Sequence, residues 1–321
     1  MGWLKGNRWL PIGATIACSV LGACSQGPDM SGIAAERERQ VRRYDMNQSM
    51  ASNGTVVVVG TQSGAVLVSE NQGKSWKRTA LGNTSLVDIT VCGKQGFVAI
   101  DHYHKVWSAD AEGKNWQSVD LKDPQTPIAV TCDMQGGWWV VGTNATIAGS
   151  KDQGKSWQVT DLGADAQLTT IQFMDEKHAI AMGEFGMVLS SDDGGASWKK
   201  GAKIAGDFYP YAALFKNANE GWASGIAGQI LATRDGGKSW SKQTNAAQAA
   251  MYRLFMLDGV PHGVGATGVI ARLDKETWRA VPYTDALPVF LGGGAALSGQ
   301  SAVMIGGPGG LLRAVGTANK Q

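Results

Sequence analysis

The sequence predicts an all-β protein, a seven-bladed propeller of four-stranded blades, and three observations predict it. Tryptophans close a recurring turn motif at 76, 116, 157, 198, 240 and 278, spaced 40, 41, 41, 42 and 38 residues apart. A second marker begins at 60, 101, 142, 183, 225, 265 and 306, mostly as Gly-x-x-Gly between apolar runs and once as Asp101-His102-Tyr103-His104. Apolar runs such as Val56-Val57-Val58-Val59 are continuous rather than alternating, which suits strands covered on both faces. A period near forty built from short strands and glycine turns is the mark of a radial β array.

The fourth unit shows the expected elements in order: strand a over 169–174, b over 179–182, c over 187–191 and d over 198–200. Seven markers against six tryptophans leave the seventh unit without its outermost strand. That blade ends near Val315, and the segment just before Gly54 is expected to complete it, leaving no long free edge. The expected boundaries are therefore an export signal over 1–23, a polar tether with the ring-closing strand over 24–53, the propeller over 54–316 and a tail over 317–321.

The turn motif reads Asp235-Gly236-Gly237-Lys238-Ser239-Trp240, with versions over Asn71 to Trp76, Asp110 to Trp116, Asp152 to Trp157, Asp193 to Trp198 and Asp274 to Trp278. It suits the c–d hairpin. The acid accepts backbone N–H groups, glycine takes a positive φ, and tryptophan leaves the turn as a flat wedge, expected to lie against the next blade. Burying about 150–250 Å² per tryptophan at roughly 25 cal/mol/Å² contributes about 4–6 kcal/mol before ordering entropy. The motif is similar to the Asp box, or bacterial neuraminidase repeat, of sialidases and sortilin-type receptors. In those proteins it is structural and lies opposite the active site.

The stretch Gly225-Ile226-Ala227-Gly228-Gln229-Ile230-Leu231-Ala232-Thr233-Arg234, running on into the Asp235 motif, sharpens the likeness. With Asn219-Glu220-Gly221-Trp222 before it, it resembles the photosystem II stability/assembly factor family of propellers. That resemblance spans roughly 54–315 and lies in scaffold residues. It implies a protein that binds and helps assemble a membrane protein or complex, and it leaves the client open.

The formal charge is +2, and residues 1–23 hold Lys5 and Arg8 and no acid, so the remainder is balanced. A neutral domain argues against nucleic acid as partner. Residues 9–21 form an apolar run too short to span a bilayer, which reads as a cleavable signal. It ends in Leu21-Gly22-Ala23-Cys24, which resembles the bacterial lipobox. The resemblance implies acylation of Cys24 and a periplasmic protein held to a membrane, with Ser25 favouring the outer one.

In a propeller the b–c turns and d–a connections share one face, and function is expected there, opposite the Asp boxes. That face is expected to receive His102, Tyr103, His104, Glu184 and Phe185 from b–c turns. Phe208, Tyr209, Tyr211, Tyr252, Arg253 and Tyr283 join them from d–a connections and strand starts. Aromatic side chains with a few charges on rigid loops make a protein-binding surface.

His102 and His104 alone fall short of the three protein ligands a zinc site needs, so no metal and no cofactor are expected. Sialidase chemistry requires an arginine cluster, and only Arg253 is well placed. Glu184, Asp207 and Asp285 share the face, so the alternative to a non-catalytic scaffold is a carbohydrate-active or glycan-binding propeller. Cys92 and Cys132 end successive a strands. An oxidising compartment permits a bridge between them, and two buried free thiols are the alternative.

Overall fold

The computed structural model describes residues 1–2 and 29–317, so residues 3–23 of the expected export signal, and Cys24, lie outside the described residues. The chain divides into two units, residues 1–38 and 39–321. In the first, Ser31–Glu38 forms a helix, with the Ser31 N–H donating to Asp29 Oδ1 at 2.9 Å as an N-terminal cap. No helix among the described residues is long and apolar enough to cross a membrane.

The second unit is the propeller, and its seven sheets follow one another along the chain. In the fourth, Leu168–Phe173, Ala179–Gly183, Met187–Ser191 and Lys199–Lys200 run from inner to outer edge, each antiparallel to the last. Strand b is buried at every position in that blade, because neighbouring blades cover both of its faces. The sixth blade gains an extra outer strand, Thr244–Asn245, parallel to Thr277–Ala280. The seventh has three strands, Gly293–Leu297, Ala302–Gly306 and Leu312–Gly316.

The N-terminal segment corrects one expectation. Asn47–Ser52 pairs with Val57–Thr61 as the inner strand of the first blade, and does not complete the seventh. The marker at Gly60 follows a b strand, so the first unit needs a strand a ahead of it, and Asn47–Ser52 supplies that strand. A hairpin across four residues closes at far less entropic cost than pairing with the distant end of the chain.

The ring is closed instead by the stretch leading into that strand. Arg78 on the outer strand of blade one makes a two-pronged pair with Asp45, Nη1–Oδ2 at 2.8 Å and Nη2–Oδ1 at 2.9 Å. Asp45 is fully buried. Its carbonyl accepts the Gly310 N–H of blade seven at 2.8 Å, and the Asn47 N–H donates to Gly307 O at 3.1 Å.

The core is distributed among the seven blade interfaces. Trp116 of blade two packs with Val56, Val58 and Val68 of blade one. Trp157 packs with Val98 and Ile100 of blade two, and Trp198 with Trp139 of blade three. Trp240 meets Ile180 and Met182 of blade four, and Trp278 meets Trp222 and Ile230 of blade five. Trp76 of blade one reaches Leu297 and Met304 of blade seven. Each wedge therefore lies against the preceding blade, not the next, and the first wedge also seals the ring. Blade seven has no such tryptophan and fills its interface with Leu291, Val303, Ile305 and Val315.

The turn chemistry fits this placement. In the fifth blade the Gly237 N–H donates to Thr233 Oγ1 at 2.8 Å, and the Ser239 N–H and hydroxyl donate to Asp235 Oδ1 and Oδ2 at 2.9 and 2.6 Å. Gly237 has φ 86°, and a Cβ there would lie 2.6 Å from Ile180 of the preceding blade. Gly195 is held likewise against Trp139, at 2.3 Å. Asn71 replaces the acid in the first copy and accepts the Ser75 N–H at 2.9 Å.

Two outcomes are expected. Arg78→Ala strands the buried Asp45 carboxylate, and the loss of about 3–5 kcal/mol is read from the urea midpoint. Hydrogen bonds from Ser156, Ser197 and Ser239 hold the carboxyls of Asp152, Asp193 and Asp235 at about 2, below the ordinary 3.8. A depressed folded-state pKa stabilises fully above about pH 4, and that contribution is lost as pH falls toward 2. Acid titration of the unfolding midpoint is expected to show a decline across that window. The triple Asp→Asn variant is expected to be less stable at pH 7 and to decline less steeply.

Candidate functional site

The b–c turns and d–a connections form one hydrogen-bonded platform. Glu184 N–H donates to Gln167 O at 2.9 Å, Ile226 N–H to Tyr209 O at 3.0 Å and Ala266 N–H to Ala250 O at 2.9 Å. Each bond ties a b–c turn to the connection entering the same blade. The side chains on this face are thus presented by fixed backbone.

Large apolar side chains concentrate here. Tyr103, Phe185 and Ile226 stand exposed on b–c turns, Leu287 and Phe290 on the last d–a connection, and Tyr44 on the segment beside the Gly310 turn. The opposite face exposes Met134 and Val260 on a–b turns. Phe185 is half exposed at 53% and sits at φ 58°, ψ 26°, a left-handed conformation that a bulky residue rarely adopts. Asn144 takes the equivalent position in blade three at φ 60°.

The expected contact residues separate into three groups. His102, Tyr103, His104 and Phe185 are exposed. Tyr209, Tyr211 and Tyr252 are half-buried in one aromatic run, with ring centroids 5.7 and 5.4 Å apart. Burial, then the nearby Glu184, raise the Tyr209 phenol above its ordinary value, and the Glu184 carboxylate accepts the Gln167 N–H at 2.9 Å.

Phe208 and Tyr283 belong to the frame. Phe208 is fully buried between blades four and five, which corrects its expected place on the surface. Gly225 admits it, since a Cβ there would lie 2.5 Å from the Phe208 ring. Tyr283 donates its hydroxyl to Gly268 O and lies under Arg313, whose guanidinium carbon is 5.4 Å from the ring centroid. Burial raises its phenol pKa.

Arg253 is also engaged. It projects into the central channel, where Nη2 is 3.7 Å from Asp88 Oδ1 of blade two and 3.3 Å from Gln48 O of blade one. Burial pushes the Asp88 carboxyl up, against the pull of Arg253. Among the described residues no three His, Cys, Asp or Glu side chains converge as a metal site. Cys92 and Cys132 are joined by a disulfide, with Cα atoms 5.3 Å apart, linking the inner strands of blades two and three.

Sequence reasoning missed Tyr44, Ile226, Leu287, Phe290 and Asp88. Ile226 was visible inside a marker, and Asp88 as an acid in the middle of an inner strand. Leu287 and Phe290 lie in the connection that already supplied Tyr283.

The molecule is a seven-bladed Asp-box propeller that presents a rigid apolar and aromatic loop face. The family model of the Photosynthesis system II assembly factor YCF48 matches residues 108–209 and 156–268, together half of the chain, and this protein belongs to that family. A curated relative, the Photosystem II assembly lipoprotein Ycf48 of Synechococcus sp. (strain CC9902), is 29% identical over 117 residues. That match spans 34% of this chain and about a third, 35%, of the relative.

Among solved structures, YCF48 bound to D1 peptide superposes with a TM-score of 0.68 at 16% identity, covering 87% of this chain and 96% of that one. YCF48 from Cyanidioschyzon merolae gives 0.69 at 17%, covering 88% and 99%. A catalytically inactive virginiamycin B lyase from Staphylococcus aureus, with quinupristin, gives 0.73 at 12%, covering 86% and 96%. At such identities these likenesses establish the fold alone.

The strained Phe185 yields a test of the platform. Phe185→Asn keeps the turn and relieves the left-handed backbone, so urea unfolding is expected to show unchanged stability or a gain of up to about 1 kcal/mol. Phe185→Ala, which keeps the unfavourable backbone, is expected to show no such gain.

Proposed function

We propose that this protein is a non-catalytic, lipid-anchored periplasmic scaffold whose loop face binds a membrane protein and assists its assembly or stability. The observation that carries this reading is the concentration of Tyr103, Phe185, Ile226, Leu287 and Phe290 on one hydrogen-bonded face. Exposed apolar anchors on fixed backbone give affinity at a reduced ordering cost. A family relative bound to a D1 peptide supports a polypeptide as the occupant.

The anchor is inferred from Leu21-Gly22-Ala23-Cys24, and Ser25 favours the outer membrane. The Cys92–Cys132 disulfide supports an oxidising compartment. Catalysis is disfavoured by the same geometry. The one arginine facing the channel among the expected site residues is held by Asp88 and Gln48, and Glu184 is held by the backbone of Gln167. That leaves the glycan-processing alternative without its arginine cluster.

Crosslinked pull-down from native membranes tests the reading. Wild type is expected to recover one membrane protein stoichiometrically, and the folded Tyr103→Ser/Phe185→Asn/Leu287→Ser variant at least tenfold less. Cys24→Ala is expected to move the protein from the membrane to the soluble fraction. Equal recovery by wild type and the triple variant, or nothing specific from either, would sink the scaffold reading.

A further inference from the structure

Beside Phe185 the loop face dips into a recess of about 220 Å³. Its floor is apolar, formed by the buried Val188, the half-buried Met187 and the bare backbone of Gly201. Phe185 and Glu184 form the inner wall, and the exposed Lys200 and Lys203 form the outer rim. The recess exists because the outer strand of blade four stops after Lys199–Lys200 and the chain leaves it through a residue without a side chain.

The walls are rigid. Gly201 N–H donates to Val188 O, Ile204 N–H to Gly186 O and Gly186 N–H to Phe208 O, each at 2.8 Å. Of the nearby carboxylates, Glu184 accepts the Gln167 N–H at 2.9 Å, and Asp207 reaches Lys203 Nζ only at 3.9 Å.

We infer that this recess is the anchor pocket of the loop face, and that it takes a single aliphatic side chain of a partner polypeptide whose flanking residues are acidic. The inference rests on the scaffold reading above and deepens it. The volume fits one side chain rather than a helix face, and the preformed apolar floor is the setting in which one buried anchor dominates binding. The two rim lysines complement carboxylates beside that anchor. Two lysines are too few for the polybasic patch that holds a protein to an anionic membrane surface, so a polypeptide is favoured over lipid.

The test uses a fluorescein-labelled nonapeptide with one leucine between two aspartates, its leucine-to-alanine form, its aspartate-to-lysine form, and phosphatidylglycerol vesicles. Anisotropy at low salt is expected to show the first peptide binding and the other two weaker by tenfold or more. Gly201→Leu places a side chain into the recess without strain. A Cβ there meets Val188 Cγ1 at 3.5 Å, and the residue is outside the left-handed region. It is expected to weaken the leucine peptide at least tenfold with unchanged thermal stability. Lys200→Glu/Lys203→Glu is expected to reverse the preference toward the lysine peptide.

Equal binding of the leucine and alanine peptides, or undiminished binding by Gly201→Leu, would overturn the inference. So would vesicle binding that Gly201→Leu abolishes while no peptide binds. The pull-down separates the two levels. A client lost by the triple loop-face variant but retained by Gly201→Leu ends the pocket assignment and leaves the scaffold standing. A client retained by both ends both.

Discussion

Everything in this fold depends on how closely one blade approaches the one before it. The Asp-box turn sets that distance twice. A glycine such as Gly195 or Gly237 lies where any side chain would collide with the preceding blade, and a tryptophan a few residues on fills the space beside it. The carboxylate of the box holds the turn in the left-handed path that brings the glycine there. Local hydrogen bonding, backbone conformation and inter-blade packing are therefore one device. Its repetition explains why the interior is a set of seven separate interfaces, six of them wedged by a tryptophan. The loops on the far face lie outside this device, and apart from frame residues such as Phe208 and Tyr283 their side chains are available for contact.

The fold was legible because the device is local and repeated. Strand positions in the fourth blade followed from the marker and the tryptophan alone, within a residue or two. Asn47–Ser52 was harder, since Asn-Gln-Ser-Met-Ala-Ser lacks the apolar run that announces the other strands. Its burial comes from neighbouring blades rather than from its own composition. The side on which each tryptophan packs was also hidden, because it depends on how successive sheets are stacked around the axis.

At the site, positions were easier to read than exposures. Tyr103 and Phe185 emerged because a turn tip has nowhere to hide a ring. Phe208 did not, since its inward path depends on the absence of a Cβ at Gly225 in another strand. Arg253 looked like a free cation in sequence. Only the closed ring brings Asp88, four blades earlier along the chain order, within 3.7 Å of it. The face that results carries exposed apolar and aromatic side chains among scattered charges such as Asp207, Asp285 and the rim lysines.

The stretch at Asp45 has a mechanical meaning. A pull arriving along the chain from its N-terminal side meets Gln40 and Asp45 before it reaches any strand. Gln40 accepts the Arg78 N–H and its guanidinium, Asp45 is clamped by that same guanidinium, and the Asp45 carbonyl is held by Gly310 across the seam. Tension is thus shared between the outer strand of blade one and a turn of blade seven, the two blades at which the ring could part. Load applied there is carried by both at once, and the inner strand is spared from being peeled away residue by residue.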